Sequence, residues 1–371
     1  MSALSPHATA LPPTTHQSQY STILLHYLIS IQLSATRPGK TVWSTAPPAW
    51  SGLRQLIRGS ENVPSRERRS LYTTQPACCS YEGVTCGSTP GDEDYASILS
   101  IDFERLGLQG YLPSEIGNFG SLTRFDVGHN RISNSIPNSI GDMSALRYLN
   151  LGPNSLTGTI PSSIGSLTSL EVLLLFYNSL TGTIPSSVGS ISPLVDLYLN
   201  HNWLSGSIPV SIGALTSLAV LSLYANDLVG RVPESIGLLS QVSFIYLDHN
   251  SLTGTLPHTL SSLHMIESII VSHNRLTGAI PSSIGSLNTL RDLDLSHNAL
   301  TETIPYTFSA LTSLIALNLS DNFLTMGSAT AVPESTFSYA TLNGSFDFNS
   351  NCLVFVSTAQ PWRSTTATQC L

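Results

Sequence analysis

Hydrophobic and polar positions in this chain follow one repeating sentence. Residues 170–194 read LEVLLLFYNSLTGTIPSSVGSISPL. Leu170, Leu173 and Leu175 alternate with polar or outward positions, as a short strand with one buried face does. Asn178 follows, then Leu180, Ile184, Val188 and Ile191 in a turn-rich return, so each copy points seven apolar side chains inward. The asparagine recurs as Asn130, Asn154, Asn178, Asn202, Asn226, Asn250, Asn274, Asn298 and Asn322, always 24 residues apart. A proline stands seven residues after each of the first eight, from Pro137 to Pro305. Ten copies begin at Ile98, Leu122, Leu146, Leu170, Leu194, Leu218, Val242, Ile266, Leu290 and Leu314 without insertion. The first has Pro113 in register but Leu106 in place of asparagine.

One copy cannot bury its seven apolar side chains alone, whereas stacked copies share a continuous core. Each large buried side chain contributes roughly 1.5–3 kcal/mol, opposed by an ordering entropy of similar total size. Asn178 falls where the strand ends and the chain bends inward. Its amide both donates and accepts, which suits a ladder satisfying the backbones of neighbouring turns. Gly182 permits a backbone conformation or close approach that a side chain hinders. Pro185 lacks an N–H and suits an edge where no ladder bond is needed.

The pattern LxxLxLxxNxLxGxIPxxIGxL, over about residues 98–325, resembles the plant-type extracellular leucine-rich repeat. That subtype is found in receptor-like kinase ectodomains, receptor-like proteins and polygalacturonase-inhibiting proteins. The resemblance implies an α/β solenoid: a right-handed superhelix of ten 24-residue repeats, with a concave parallel β-sheet and a mostly irregular or 3₁₀ convex side. The spacing by itself predicts only a stacked repeat with one strand per turn.

Outside the array the sequence is less regular. Residues 1–36 form a leader whose stretch 22–33, TILLHYLISIQL, has the length of a signal-peptide core. The twenty uncharged residues before it and His26 within it leave a disordered leader as the alternative. Residues 37–97 read as an N-terminal cap, with Leu53, Leu56 and Ile57 at helical spacing and Trp43 and Trp50 to cover the core's end. Arg66-Glu67-Arg68-Arg69 has the spacing of a dibasic processing site, against the plainer reading of a solvated loop. Residues 78–86, CCSYEGVTC, resemble the family's cap motif CCxWxGVxC with Tyr81 in place of Trp. The resemblance implies a Cys79–Cys86 disulfide and leaves Cys78 without the upstream partner that the family supplies. Five cysteines leave at least one without an intrachain partner. Residues 326–371 lose the period and read as a C-terminal cap. Within it residues 342–356 alternate like a last strand, and Cys352 and Cys370 are expected to pair. Nothing after them is apolar enough for a transmembrane span, and no kinase motif follows.

Composition narrows the function. Charged residues are 10% of the chain, the net charge is −8 and the one lysine is Lys40. That balance disfavours nucleic acid or an anionic membrane as partner. No metalloprotease, phosphate-loop, dinucleotide or nucleophile-elbow motif is present, so no catalytic residue, cofactor or metal is expected. Asn318-Leu-Ser and Asn343-Gly-Ser are glycosylation sequons that agree with a secretory route.

Three columns of outward residues stand out. His129, His201, His249, His273 and His297 each precede a ladder asparagine. The last three are placed to stack near Asp248, Asp294 and Asp321, as a metal or pH-sensing site or as ordinary usage at a strand end. Threonines beside the repeat glycine (Thr157/Thr159, Thr181/Thr183, Thr253/Thr255, Thr301/Thr303, with Ser205/Ser207 between) offer a flat hydroxyl and methyl array or simply a short flank strand. Aromatics at outward strand positions, Tyr148, Phe176, Tyr177, Tyr198, Tyr224, Phe244 and Tyr246, fall only in the third to seventh repeats. Clustered exposed aromatics mark an interface. With Asp196, Asp248, Arg124 and Arg147 they are the expected ligand-binding residues. Arg105, Arg124 and Arg147 form a basic end, and Asp292, Asp294 and Asp321 an acidic one. The expected function is a secreted or cell-surface recognition module, not an enzyme, for a protein, peptide or glycan. The alternatives are an inhibitor of a secreted carbohydrate-active enzyme and a structural protein binding ice or a wall polymer through its flank. The oligomeric state is open.

Overall fold

In a computed structural model the described residues are 82–89, 92–325 and 345–347. The leader, most of the N-terminal cap with Arg66–Arg69, Cys78 and Cys79, and most of the C-terminal cap lie outside them. Each turn after the first opens with a strand of three residues, and the first uses the end of the longer strand Asp92–Asp102. In Val172–Leu174, Leu173 faces inward and is fully buried, while its neighbours are half-buried on the other face. Ten such strands pair in parallel at a constant step of one repeat, as in Val172↔Asp196↔Val220. The strand Val84–Thr89 runs antiparallel to Asp92–Asp102 and closes one edge. At the other edge Ser345–Asp347, inside the stretch expected to add a last strand, pairs in parallel with Ala316–Asn318.

The seven apolar positions all face the core. Leu170, Leu173, Leu175, Leu180, Val188 and Ile191 are fully buried and Ile184 nearly so, within one continuous cluster. The asparagines stitch successive turns. Asn178 Nδ2 donates to the carbonyls of Leu151 and Leu175, and its Oδ1 accepts the N–H of Leu156 at 2.9 Å. The same three partners recur at every asparagine from Asn130 to Asn322. The residue before the asparagine is left-handed almost throughout: Tyr177 at φ 50°, His201 at 53°, His249 at 52°, His273 at 51° and His297 at 52°. Asn, Asp and His tolerate that region better than other side chains, which gives the histidine column a backbone origin.

The proline has a different role from the edge position expected of it. Pro185, at φ −66°, immediately precedes the 3₁₀ turn Ser186–Ser190, and its carbonyl accepts the N–H of Val188. At ψ 136° it is still extended, so its fixed φ sets the entry to the turn and its missing N–H leaves no donor to satisfy there. The return also carries more regular structure than 3₁₀ turns alone. Nine strands among the described residues, from Gln109–Tyr111 to Ala299–Leu300, form a second parallel sheet along the flank.

Serine and threonine do more than cover the outside. On the convex side Ser187 Oγ donates to the carbonyl of Ser162 at 2.6 Å, and Ser163, Ser211, Ser235, Thr259 and Thr307 repeat the bond. A Cβ on Gly165 would land on the carbonyl of Ser187, so the glycine of each IG pair sets how closely these turns stack.

Candidate ligand-binding face

Outward positions in and just after the concave strands bring most of the expected aromatics together; Phe176, Tyr177 and Tyr224 follow the strands Val172–Leu174 and Val220–Ser222 instead of lying within them as expected. Phe176 meets Tyr177 edge-on at 5.9 Å and Tyr198 at 6.2 Å. Tyr177 stacks on His201 at 4.0 Å, and His201 meets Tyr224 edge-on at 4.9 Å. One continuous ring surface thus spans the fourth to sixth repeats, and Phe244 and Tyr246, 6.2 Å apart, form a separate ring pair in the seventh. A Cβ at residue 152 would lie 2.7 Å from the Phe176 ring, so Gly152 leaves the room that this ring occupies. His201 belongs to this surface although its sequence column pointed elsewhere; the readable signal is its spacing of 24 from Tyr177.

Tyr148 is placed differently. The Arg124 guanidinium covers its ring at 3.8 Å and bridges to Asp126 at 2.7 Å and Asp102 at 3.3 Å. Asp126 is buried and also accepts from Gly128 N–H and from Asn150 Nδ2 at 2.9 Å. Burial pushes its carboxyl above the usual range, while the Gly128 hydrogen bond pulls it back. Tyr148 and Arg124 therefore satisfy one another. Arg147 is engaged too, at 2.7 Å from Glu171, and Arg105 lies 3.6 Å from Glu104. The basic end expected from the sequence is neutralised within the protein, because each of these arginines lies beside a carboxylate.

Of the carboxylates of the later repeats, Glu267 lies 4.0 Å from Arg291, whereas Asp196, Asp248, Asp292, Asp294 and Asp321 have no arginine among the described residues. Asp196 is half-buried, and burial raises its carboxyl pKa. Burial, then the neighbouring Asp294, raises Asp292, whose Oδ2 receives only a long 3.5 Å bond from Ser268 Oγ. Asp294 accepts the Ser296 N–H. Asp248 contacts His249 Nδ1 at 2.9 Å, and Asp321 contacts His297 Nδ1 at 3.3 Å. Burial, then the negative charge of Asp196, raises the Tyr198 phenol; burial also raises Tyr224 and Tyr246.

His249, His273 and His297 stack at 4.3 and 4.0 Å. No group of metal-binding side chains forms among the described residues. On the flank, Thr181 Oγ1 donates to Gly158 carbonyl and the Thr159 methyl sits over Gly182, so these threonines have internal partners. Asn318 lies half-buried in the last repeat strand, its Oδ1 accepting from Ser320 N–H and Oγ. Asn343, Cys352 and Cys370 lie outside the described residues, as does the expected partner of Cys86; Cys86 itself is disulfide-bonded. A shallow depression lined by Glu267, Asn288, Thr289, Arg291, Ser313 and Ile315 lies at the opposite rim of the sheet from the histidines.

Family models described as leucine-rich repeat match residues 120–180 and 265–324, and residues 193–215 and 241–263. The chain is a plant-type leucine-rich repeat protein. This leucine-rich repeat protein is similar to the crystal structure of a TDR receptor, at 36% identity and a TM-score of 0.63 over 66% of this chain and 42% of that one. It is also similar to the Arabidopsis receptor kinase HAESA, solved in complex with the peptide hormone IDA and the co-receptor SERK1. There the identity is 28% and the TM-score 0.63, over 81% of this chain and 53% of that one. It thus spans about half or less of those receptors' length. A plant ice-binding protein shares the fold at 24% identity and a TM-score of 0.60, over 80% of this chain and 93% of that one. Among the described residues no helix is long and apolar enough to cross a membrane.

Proposed function

We propose that this leucine-rich repeat protein is a non-catalytic recognition module that binds an extended peptide along its concave sheet. The observation that carries the reading is the continuous ring surface of Phe176, Tyr177, Tyr198, His201 and Tyr224, with Tyr198 in a concave strand and the other four just after their strands, Tyr177 exposed and the rest half-buried. Desolvated aromatics hold much of the affinity at protein interfaces. Similarity to receptors solved with peptide ligands supports the same ligand class. We place the protein outside the cell, secreted or at its surface; the Cys86 disulfide agrees, since disulfides persist in oxidising compartments.

The flank reading as an ice or wall-polymer surface has less support. Thr181 turns its hydroxyl to Gly158, and Thr159 lays its methyl over Gly182. The reading as an enzyme inhibitor uses the same concave face with a folded partner.

Selection of a random peptide library on the full chain tests the proposal. Enriched peptides are expected to lose binding to the Tyr198→Ala/Tyr224→Ala variant and to keep it on Thr181→Ala/Thr253→Ala. Peptides that depend on the threonines and ignore the tyrosines would move recognition to the flank.

A further inference from the structure

Neighbouring outward residues on the concave sheet form two files along the solenoid. Strand register places Asp196, Val220, Phe244, Ser268 and Asp292 side by side in one file. Beside it run Tyr198, Ser222, Tyr246, Ile270 and Asp294. Each file has an aromatic ring in its middle turn. The first has a carboxylate at both ends, and the second adds a carboxylate at the far one.

Charge on this face is unevenly compensated. Its outward positions hold ten carboxylates and four arginines. Every arginine is bridged within the protein: Arg105 to Glu104, Arg124 to Asp102 and Asp126, Arg147 to Glu171, and Arg291 to Glu267 at 4.0 Å. Asp196, Asp248, Asp292, Asp294 and Asp321 have no arginine, and all five fall in the fifth to tenth repeats. Asp248 and Asp321 have histidine neighbours. The Asp196 carboxylate has no hydrogen-bond or ionic partner among the described residues. The array contains no lysine to supply a cation. A half-buried carboxylate without a counter-charge is an unfavourable arrangement that a cation from outside relieves.

We propose that the occupant of this face is a cationic extended peptide, with one basic side chain at Asp196, a second at Asp292 and Asp294, and apolar residues over Phe244 and Tyr246 between them. This rests on the reading of the concave sheet as a peptide-binding surface. Four strand spacings of ~4.8 Å separate Asp196 from Asp292, about 19 Å. An extended chain advances ~3.3 Å per residue, so the two basic residues stand about six positions apart. Arginine suits both ends, since its planar guanidinium pairs with a carboxylate, and at Asp196 it can also stack on the Tyr198 ring two residues away.

The test is selection of a random 12-residue peptide library on the full chain, with counter-screening on Asp196→Asn, Asp292→Asn and the convex control Asp142→Asn. Circular dichroism and melting of each variant establish that it folds. Enriched peptides are expected to carry two basic residues about six apart. They should bind Asp196→Asn and Asp292→Asn at least about tenfold more weakly, and Asp142→Asn unchanged. Their binding to the unmodified chain should weaken with added salt, as unscreened charge pairs do. Peptides that need Tyr224 but carry no basic residues, or that ignore both Asn substitutions, would overturn this inference and leave the concave reading standing. Absence of any tyrosine-dependent peptide would overturn both.

Discussion

Asn226 Oδ1 accepts the backbone N–H of Leu204, on the preceding turn, at 3.0 Å. Its Nδ2 donates to Leu199 on that same preceding turn and to Leu223 on its own. One side chain thus satisfies three backbone groups on two turns, and it is almost fully buried. Asn226→Ala is expected to leave those groups unpaired and to cost roughly 1–3 kcal/mol in a denaturant melt. A loss below about 0.5 kcal/mol, the range of ordinary surface substitutions, would remove the ladder from the account of stability.

Gly182 faces two separate obstacles to a side chain. Its φ is +75°, where an L-residue costs roughly 1–2 kcal/mol, and a Cβ would stand 2.8 Å from the Thr159 methyl. Gly182→Ala is therefore expected to destabilise by more than the backbone term alone. Adding Thr159→Ser, which deletes the methyl, should recover the steric part only. Equal melting of the single and double variants would show that the methyl does not press on the glycine.

His273 lies between two other imidazoles. Burial, then the adjacent His297 and His249, lowers its pKa below the ordinary histidine value. The folded state thus binds its proton less readily than the unfolded chain does. Stability is present above the unfolded histidine value of about 6.5 and falls as pH drops through it toward the lowered folded value. Asp248 and Asp294 oppose part of this shift. His273→Asn keeps a residue that tolerates left-handed backbone and removes the titration. Melting temperatures between about pH 7.5 and 5 should fall less for the variant than for the unmodified chain. Parallel pH profiles would show that the folded chain binds the His273 proton as readily as the unfolded chain does.

The sequence alone carried the array well, because the seven apolar positions recur in ten turns and the asparagine typified by Asn178 in nine of them. The concave face was legible as to which residues point outward, not as to which are already engaged. Arg147 reads as a free cation until it is compared with Glu171, 24 residues on, where the next turn places a carboxylate 2.7 Å away. Tyr177 with His201, and Asp126 with Asn150, hide at the same spacing. Thr159 over Gly182 is separated by 23, so a flank that looks like a display surface is partly packing. Such pairs are invisible to a reading along the strand, since sheet neighbours are set by register and not by adjacency in the chain.

Tyr224 and Leu223 stand one residue apart on opposite faces of the same turn, Leu223 fully buried and Tyr224 half-exposed against His201. Peptide affinity and melting, measured together on Tyr224→Ala and Leu223→Ala, test the recognition face most directly. Leu223→Ala should destabilise the fold by roughly 2–5 kcal/mol. Tyr224→Ala should change stability by less than about 1 kcal/mol yet weaken peptide binding at least about tenfold, or 1.4 kcal/mol. A Tyr224→Ala variant that is equally stable and binds the same peptides as tightly as the unmodified chain would contradict the assignment of the concave aromatics to ligand binding.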